Sequence, residues 1–219
     1  IKLFNNEICE VSTPDILIAG CGTGEHSIHT AAEFKNSKVL AIDLSLSSLA
    51  YAKRKTEELG VTNIEYMQAD ILKLAKLDRQ FDIIESAGVL HHMNNPMAGW
   101  KVLVDCLRDG GLMKIGLYSE IARQKHAAIR AEIYKLGIKH TEKEMKSFRK
   151  DVISSHMQHH MEIKLRQDFY SLSNFRDLLF HVQEHRFTIY QLKQCLKELG
   201  LKFCGFENDS IVQKFRVSN

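Results

Sequence analysis

The most informative stretch of the sequence is Ile16-Leu-Ile-Ala-Gly-Cys-Gly-Thr-Gly24. Its four leading apolar residues predict a buried strand, and the helical pattern Glu25–Phe34 follows directly. The three glycines between them allow a tight turn and let a ligand approach the backbone, because glycine has no Cβ. The stretch therefore predicts a strand, a ligand-binding loop and a helix, with simple turn glycines as the alternative.

A second predicted strand, Val39–Asp43, ends in an acid. An acid at this place beside a glycine loop accepts hydrogen bonds from both ribose hydroxyls of an adenosine, each charge-assisted and worth about 1.5–3 kcal/mol. The alternative is that Asp43 only caps the strand end. The sequence thus favours a ligand that contains adenosine.

The spacing of the glycines separates two cofactor classes. Dinucleotide sites use G-x-G-x-x-G, with a pyrophosphate on the helix N-terminus. Here the loop reads G-x-G-x-G, and Glu25 occupies the position of the missing glycine, where its carboxylate repels phosphate. The spacing therefore disfavours NAD and favours a zwitterionic cofactor without phosphate.

Short apolar runs alternate with helical patterns between Asp15 and Ser119, as in a parallel sheet with crossover helices. The predicted strands are Ile16–Ala19, Val39–Asp43, Ile64–Gln68, Phe81–Ser86 and Leu112–Tyr118. The predicted helices between them are Glu25–Phe34, Ser47–Leu59, Ile71–Leu77 and Pro96–Leu107. The predicted fold class is α/β and Rossmann-like.

The pattern becomes helical after Ser119 and alternates again from Thr188. The predicted elements are helices over Glu120–Leu136, from a capping box at Thr141 onwards and over Thr188–Leu199, then a sixth strand over Leu201–Phe206. Between the second and third of these helices lies another apolar stretch, Phe175–Val182. We expect a single domain over 1–219, with a cofactor-binding core at 15–119, a helical cap inserted at 120–186 and return elements at 187–219. The start at Ile1 rather than Met raises the hypothesis of a piece of a longer protein.

Together these motifs resemble those of the class I S-adenosylmethionine-dependent methyltransferases. Gly20–Gly24 matches the family's first motif, Gln68–Ile71 the motif after the third strand, and Phe81–His92 the fourth motif. Leu107–Met113 resembles the turn that enters the fifth strand. The resemblance implies a seven-stranded, predominantly parallel sheet in the order 3-2-1-4-5-7-6, with Ile211–Val217 as the candidate seventh strand and S-adenosyl-L-methionine as cofactor.

The resemblance also implies which residues hold the cofactor. Asp43 matches the ribose-binding acid, and Leu44 matches the residue that packs on adenine. Asp70 and the backbone amide of Ile71 match the pair that reads the adenine edge. The full set of cofactor residues that we expect is Gly20, Cys21, Gly22, Gly24, Asp43, Leu44, Asp70, Ile71 and Ser86.

One position departs from the family pattern. Ile18 stands where the family usually has an acid that contacts the methionine amino group. We expect Glu25, or backbone carbonyls near Ser86, to replace that contact.

His91 and His92 follow the fourth strand, where many enzymes of this family place residues that face the substrate. A histidine there could act as general base for a hydroxyl or amine, since its pKa suits neutral pH. The alternative is that both histidines bond backbone groups at a helix start. Tyr118 and Glu120 leave the fifth strand toward the same cleft, so Tyr118 joins the catalytic candidates and Glu120 the substrate-binding ones.

The cap segment Phe175–Arg186 mixes charged and imidazole side chains with apolar ones. We expect Arg176, His181 and His185 to line a substrate pocket, with the arginine binding a carboxylate or phosphate. The alternative is an amphipathic helix whose polar face is in water.

His156 and His160 are one helical turn apart, a spacing that can hold a metal ion. Only Glu162 lies near them as a third ligand, so a solvated helix face is the favoured interpretation and no metal site is predicted.

The composition disfavours several other classes. A net charge of +3 over 219 residues is too small to indicate nucleic-acid binding. No apolar run reaches the roughly 18 residues that a membrane span needs. Five scattered cysteines without a C-x-x-C pair indicate neither a disulfide framework nor a zinc ribbon, and they favour a cytoplasmic protein.

The sequence therefore predicts a methyltransferase with an unidentified acceptor, a small molecule being favoured. A protein acceptor is the alternative, because the whole chain, cap included, resembles methyltransferase regions of larger bacterial proteins with tetratricopeptide repeats. A non-catalytic, cofactor-binding interaction module is the alternative from another class.

Overall fold

The computed structural model describes residues 11–181 and 183–207. This part of the chain forms two compact units. The first unit comprises residues 11–90, 97–116 and 189–207, and the second comprises residues 91–96, 117–181 and 183–188.

The first unit is built on a parallel sheet. Its strands are β1 (Asp15–Ala19), β2 (Lys38–Asp43), β3 (Ile64–Gln68), β4 (Phe81–Ala87) and β5 (Leu107–Gly116). Their order is β3-β2-β1-β4-β5, and every adjacent pair is parallel. The winding direction therefore reverses between β1 and β4, and open α/β sheets bind ligands at the carboxyl ends of strands at such a point.

Helices connect these strands in the predicted places. They are α1 (Glu25–Glu33), α2 (Leu46–Glu58), a 3₁₀ helix at Ile71–Leu77 and α3 (Pro96–Asp105). α2 begins after Ser45, whose hydroxyl accepts a hydrogen bond from Ser48 N at 3.2 Å. This cap fixes the point at which the chain turns from the end of β2 into the helix.

The α/β class and the five predicted strands are confirmed. β1 and β2 each have four consecutive buried apolar positions, and in β4 burial extends over Phe81–Ser86 although three of these residues are polar. Four strands match their predicted bounds to within one residue. β5 begins at Leu107 rather than Leu112, because residues 108–111 bulge between two segments that both pair with β4.

The second unit is mainly helical. Its elements are β6 (Tyr118–Ser119), α4 (Glu120–Lys135), α5 (Glu142–Ser154), α6 (Gln158–Ile163), α7 (Leu172–Leu179) and β7 (Arg186–Phe187). The capping prediction at Thr141 is confirmed, since its Oγ1 accepts from Glu144 N at 3.3 Å. The unit has its own core, formed by Ile129, Ile133, Met145, Phe148, Val152, Ile163, Phe169, Phe175, Leu178, Leu179 and Phe180.

The helix predicted to return the chain to the sheet is present as α8 (Ile189–Glu198). Its predicted apolar stripe contains Leu192, Leu196 and Leu199, which are half-buried rather than buried. The helical pattern was therefore predicted correctly, but the extent of its burial was not.

The predicted sixth strand is wrong. Leu201–Phe206 is irregular and pairs with no strand of the described chain. Phe203 and Phe206 are exposed, and their rings contact each other with centroids 5.0 Å apart. An alternating apolar pattern becomes a strand only beside a partner that its backbone can bond, and this segment has none among the described residues. The candidate seventh strand, Ile211–Val217, lies outside the described residues.

The structure also describes most of the cysteines and the polarity of the helices. The four cysteines within the described ranges, Cys21, Cys106, Cys195 and Cys204, are all free thiols. Cys9 lies outside the described residues. No helix among those described is both long and apolar enough to cross a membrane.

Candidate functional site

The glycine loop between β1 and α1 takes a conformation that requires glycine. Gly20 and Gly24 have φ of +84° and +90°, in the left-handed region that residues with a Cβ avoid. A Cβ at Gly20 would lie 2.1 Å from Val89 Cγ2, and one at Gly24 would lie 2.5 Å from Ala52 Cβ. A Cβ at Gly22 would meet no described atom within 4 Å. Packing thus needs the outer two glycines, and the middle one leaves the loop open to a ligand.

Asp43 joins the end of β2 to this loop. Its Oδ2 accepts a hydrogen bond from Gly22 N, and its Oδ1 accepts one from Ser45 N, both at 2.8 Å. A carboxylate offers about four lone-pair sites, so two backbone bonds leave it able to accept further hydrogen bonds. Asp43 therefore holds the loop in place and still presents acceptor oxygens there.

Three predicted adenine-site residues follow β2 and β3. Leu44 is 69% exposed, although it is apolar, and Gln68 Nε2 donates to its backbone carbonyl at 2.9 Å. Asp70 caps the 3₁₀ helix by accepting from Leu72 N at 3.0 Å, and Ile71 is buried behind it. An exposed leucine beside a fixed carboxylate offers an apolar face for an aromatic ring and an acceptor for its edge.

A cavity of about 440 Å³ opens beside the glycine loop. Its lining residues are Ile18, Gly20, Cys21, Gly22, Thr23, Glu25, His26, His29 and Ala87. Glu25 and His26 come from the first turn of α1, so the polar part of the wall lies at the helix N-terminus. The cavity can receive a small charged group beside the backbone of the loop.

Ser86 and Cys21 were both predicted to contact the cofactor, and the structure places them in different surroundings. Ser86 is 1% exposed, and its hydroxyl donates to Ala19 O at 3.1 Å. Its neighbour Ala87, rather than Ser86, lines the cavity. Burial, together with Asp43, raises the pKa of the Cys21 thiol to about 12. Cys21 is therefore a neutral lining residue and not a nucleophile.

Sequence reasoning missed a buried acid below this cavity. Glu85 on β4 is the register partner of Ile18 on β1. Its carboxylate accepts from Thr30 Oγ1 at 3.1 Å and lies 2.5 Å from His26 Nε2. This carboxylate raises the pKa of His26, and the pKa of Glu85 is lowered by His26 against the effect of its burial. Asp82 and Ser86 are polar residues of the same strand, so no local pattern in the sequence singled out Glu85.

The second unit brings four predicted residues together. The rings of His91 and Tyr118 lie 3.7 Å apart between centroids, and those of His92 and His181 stack at 3.6 Å. His91 and His92 are in edge contact at 4.3 Å. His91 is 1% exposed, so its ring packs inside this group, whereas His92 is partly exposed.

The protonation state of His92 follows from its contacts. Its Nδ1 lies 2.8 Å from the Gln183 carbonyl oxygen, which can only accept, so Nδ1 carries the proton and Nε2 keeps its lone pair. Burial lowers the pKa of His92, and His181 and Arg123 lower it further. The ring is therefore neutral at pH 7 and has a basic nitrogen available. Burial raises the pKa of Tyr118, so its phenol remains protonated.

An arginine–glutamate network supports this cluster. Glu184 Oε2 lies 2.5 Å from Arg123 Nη2 and 2.9 Å from Arg130 Nη1. The Arg123 guanidinium also lies 3.8 Å from the centroid of the Tyr118 ring. Arg123 was missed by sequence reasoning, because it lies on α4 with no motif around it and its partner is 61 positions away.

The other predicted substrate-binding residues, Glu120, His185 and Arg176, differ in their contacts and exposure. Glu120 pairs with Arg186 Nε at 3.3 Å. His185 N donates to the His91 carbonyl at 2.7 Å, and its ring lies 3.1 Å from Gln183 Nε2. Arg176, by contrast, is exposed on α7 and belongs to none of these contacts.

The known proteins that resemble this chain match it over different ranges. Residues 16–111 match a family model described as a methyltransferase domain. An uncharacterized Synechococcus protein is 28% identical over 215 residues, which are 91% of this chain and 50% of that protein. The (S)-coclaurine N-methyltransferase of Papaver somniferum is 29% identical over 98 residues, 45% of this chain and 28% of the enzyme. The chain thus spans half or less of the length of these curated relatives.

Among solved structures, PKMT2 from Rickettsia typhi has a TM-score of 0.70 and 19% identity over 95% of this chain and 44% of its own. Its fold is also known in complex with AdoHcy, with a TM-score of 0.68. At this identity the likeness concerns the fold. It extends over nearly the whole chain, whereas the family model covers residues 16–111, which lie mainly in the first unit.

Proposed function

Because residues 16–111 form a methyltransferase domain of the class I S-adenosylmethionine-dependent family, we propose that this chain transfers a methyl group from S-adenosylmethionine to a nucleophilic acceptor. The observation that carries this proposal is the bond between Asp43 Oδ2 and Gly22 N at 2.8 Å. This bond holds Asp43 against an open glycine loop at the switch point of a parallel sheet, which supports the binding of an adenosine there.

In this proposal, each part of the cofactor contacts a different group of residues in the first unit. Asp43 accepts from the ribose hydroxyls, while Leu44, Asp70 and the Ile71 amide receive the adenine. The cavity beside the loop takes the amino-acid end, which carries no phosphate. Glu25 at the first turn of α1 is compatible with a zwitterion and unfavourable for a pyrophosphate.

The amino-acid end is recognised in this chain by a pair that replaces the acid missing at Ile18. Glu85 keeps the His26 imidazole protonated, and His26 lines the cavity. An imidazolium there binds the methionyl carboxylate. Glu25, at the neighbouring position in the cavity wall, is the partner for the methionyl amino group.

The second unit supplies the acceptor side of the reaction. When bound, S-adenosylmethionine provides a methyl group already activated by its sulfonium, so the work of the residues is alignment and proton removal. His92 acts as the general base through Nε2, held in the required tautomer by the Gln183 carbonyl. His91 and Tyr118 position the His92 ring, and His181 stacks on its other side.

The favoured acceptor is a small-molecule amine or hydroxyl, since relatives of the cofactor-binding half include the (S)-coclaurine enzyme. A protein acceptor is the second candidate. The segment 120–186 acts in this proposal as the cap that selects the acceptor.

Transfer of a tritiated methyl group tests the function. The labelled cofactor is incubated with the chain and either a metabolite extract or a protein lysate, and label is counted in the small-molecule and protein fractions. We expect transfer in the metabolite arm, and transfer in the lysate arm alone would favour a protein acceptor. Tight cofactor binding with no transfer in either arm would support the non-catalytic module and contradict the proposal.

Once an acceptor is found, His92→Asn tests the base. The asparagine amide can still donate to the Gln183 carbonyl, but it cannot accept a proton, so turnover should fall by about 100-fold or more. Wild-type activity should be lost as the pH falls through the lowered pKa of His92, below 6.5, because only the neutral ring is a base. Full turnover in His92→Asn would exclude this role.

A further inference from the structure

Three potential metal ligands of the second unit converge on one point. Glu132 lies on α4, and His159 and His160 lie on α6. Glu132 Oε2 is 3.3 Å from His159 Nε2 and 2.8 Å from His160 Nε2. One ligand atom from each residue lies within 4.8 Å of the other two. Both imidazoles therefore direct the same nitrogen at the same carboxylate oxygen.

This arrangement differs from the one that the sequence suggested. His156 and His160, the pair that was considered from the sequence and disfavoured as a metal site, do not share a helical turn, because α6 begins at Gln158 and His156 lies exposed in the preceding connection. His160 is 2% exposed, so the expectation of a solvated helix face is wrong for this residue. The acid comes from α4, a separate helix, and only the fold brings it to the histidines.

We propose that Glu132, His159 and His160 bind a Zn²⁺-class divalent transition metal. Two imidazoles and one carboxylate form a ligand set that Zn²⁺ prefers, whereas Mg²⁺ and Ca²⁺ prefer oxygen ligands alone. Bonds of about 2.0–2.2 Å in a tetrahedral site place ligand atoms about 3.3–3.5 Å apart. The Glu132–His159 separation matches this value, and the Glu132–His160 separation has to widen by about 0.5 Å.

Binding changes the state of the two rings but not their net charge. In the metal-free arrangement each Nε2 carries a proton that points at Glu132 Oε2. The metal requires the Nε2 lone pair, so the ring proton moves to Nδ1 through solvent exchange. Glu132 and His159 are 25% and 30% exposed in their side chains, which leaves room for water as the fourth ligand.

The consequence is a link between α4 and α6. A metal held by residues of both helices stabilises the folded unit, because the unfolded chain does not present the three ligands together. None of the three ligands belongs to the His92 cluster, so the site stabilises the fold and does not take part in catalysis.

Calorimetric titration of the whole chain with Zn²⁺, after removal of any histidine tag and stripping with a chelator, tests the proposal. We expect one site and a rise in melting temperature with Zn²⁺, and neither effect with Mg²⁺. Glu132→Gln and His159→Ala should each weaken Zn²⁺ binding by about 100-fold or more, since even groups that only support a ligand contribute 10–100-fold. His156→Ala is the matched control and should bind as the wild type does.

Two variants keep the test decisive. Glu132→Gln preserves the shape of the side chain and an oxygen acceptor, and His159→Ala removes a ring that is only partly buried. Zn²⁺ affinity that is unchanged in both variants would overturn the proposal. So would a loss of affinity in His92→Asn but not in Glu132→Gln, because the metal would then bind the other histidine cluster.

Discussion

Ile18 and Glu85 are neighbours across β1 and β4, and their side chains therefore point to the same face of the sheet. The acid that is absent at Ile18 of β1 is thus present at Glu85 of β4, next to His26. The side chain that reaches the cavity wall is therefore His26 and not Glu85, and Glu25 lines the same wall. The amino-acid end of the cofactor is accordingly expected to be held by its carboxylate here.

This arrangement predicts how cofactor affinity depends on pH. The Glu85 carboxylate raises the pKa of His26 above its usual 6.5, so the imidazolium survives to a higher pH than in an unpaired histidine and is lost as the pH rises through the raised pKa. AdoHcy binding should weaken by roughly tenfold over that rise, a modest effect because the ring is 37% exposed and solvent screens it. His26→Gln should bind weakly at all pH values and lack this dependence.

His29→Gln provides the control, because His29 lines the same cavity from the same helix but does not pair with Glu85. Its pH dependence should match that of the wild type. A wild-type dissociation constant that does not change across the pH range would contradict the role of His26.

Single residues were predictable where a motif fixes their neighbours. Asp43 follows β2 and the glycine loop follows β1, so the pairing of the two strands brings them together. Glu85, Arg123 and Glu132 have no such motif. Their partners come from other elements of the fold, and no local pattern in the sequence identifies them.

Strands and helices were predicted correctly where their residues are continuously buried. The prediction failed where burial is not continuous. β1 and β2 each have four consecutive buried positions, and their apolar runs predict buried strands directly. Leu201–Phe206 has a similar composition but no partner strand among the described residues, and it remains irregular. The sequence indicated only an apolar stretch from Phe175, whereas α7 starts three residues earlier, at Leu172, after a cap by Ser171 that the apolar pattern does not reveal.

The contrast between α7 and the segment after it predicts two different mutational effects. Arg176 is exposed on α7, so Arg176→Ala should leave turnover unchanged, as substitutions on a solvated surface usually do. His181 stacks on His92 at 3.6 Å, and His181→Ala should lower turnover by about 2–10-fold through loss of that contact, equivalent to 0.5–1.5 kcal/mol.

Cofactor affinity and melting temperature are measured on the same two variants. Both should keep AdoHcy affinity within about threefold of the wild type, a change below roughly 0.7 kcal/mol. Normal turnover in His181→Ala, or loss of turnover in Arg176→Ala, would contradict this assignment of the two side chains.

At the scale of the molecule, the described residues include one hydrophobic core around the sheet and another among the helices α4–α7. The first unit contains most of the family match and the proposed cofactor residues, and the second contains the His92 cluster and the proposed metal ligands. This division explains why the cofactor could be inferred from the sequence and the acceptor could not. Cofactor recognition follows a motif shared by a large family, whereas the second unit carries no comparable motif.

The central claim is that the glycine loop and Asp43 bind S-adenosylmethionine and not a dinucleotide. Calorimetry with AdoHcy and with NAD tests it directly on the wild type, on Asp43→Asn and on Glu65→Gln, an exposed acid of β3 that serves as control. We predict one AdoHcy site, NAD binding at least about 100-fold weaker, and a loss of about 10–100-fold in AdoHcy affinity for Asp43→Asn alone. Comparable affinity for NAD, or an unchanged AdoHcy dissociation constant in Asp43→Asn, would contradict the account.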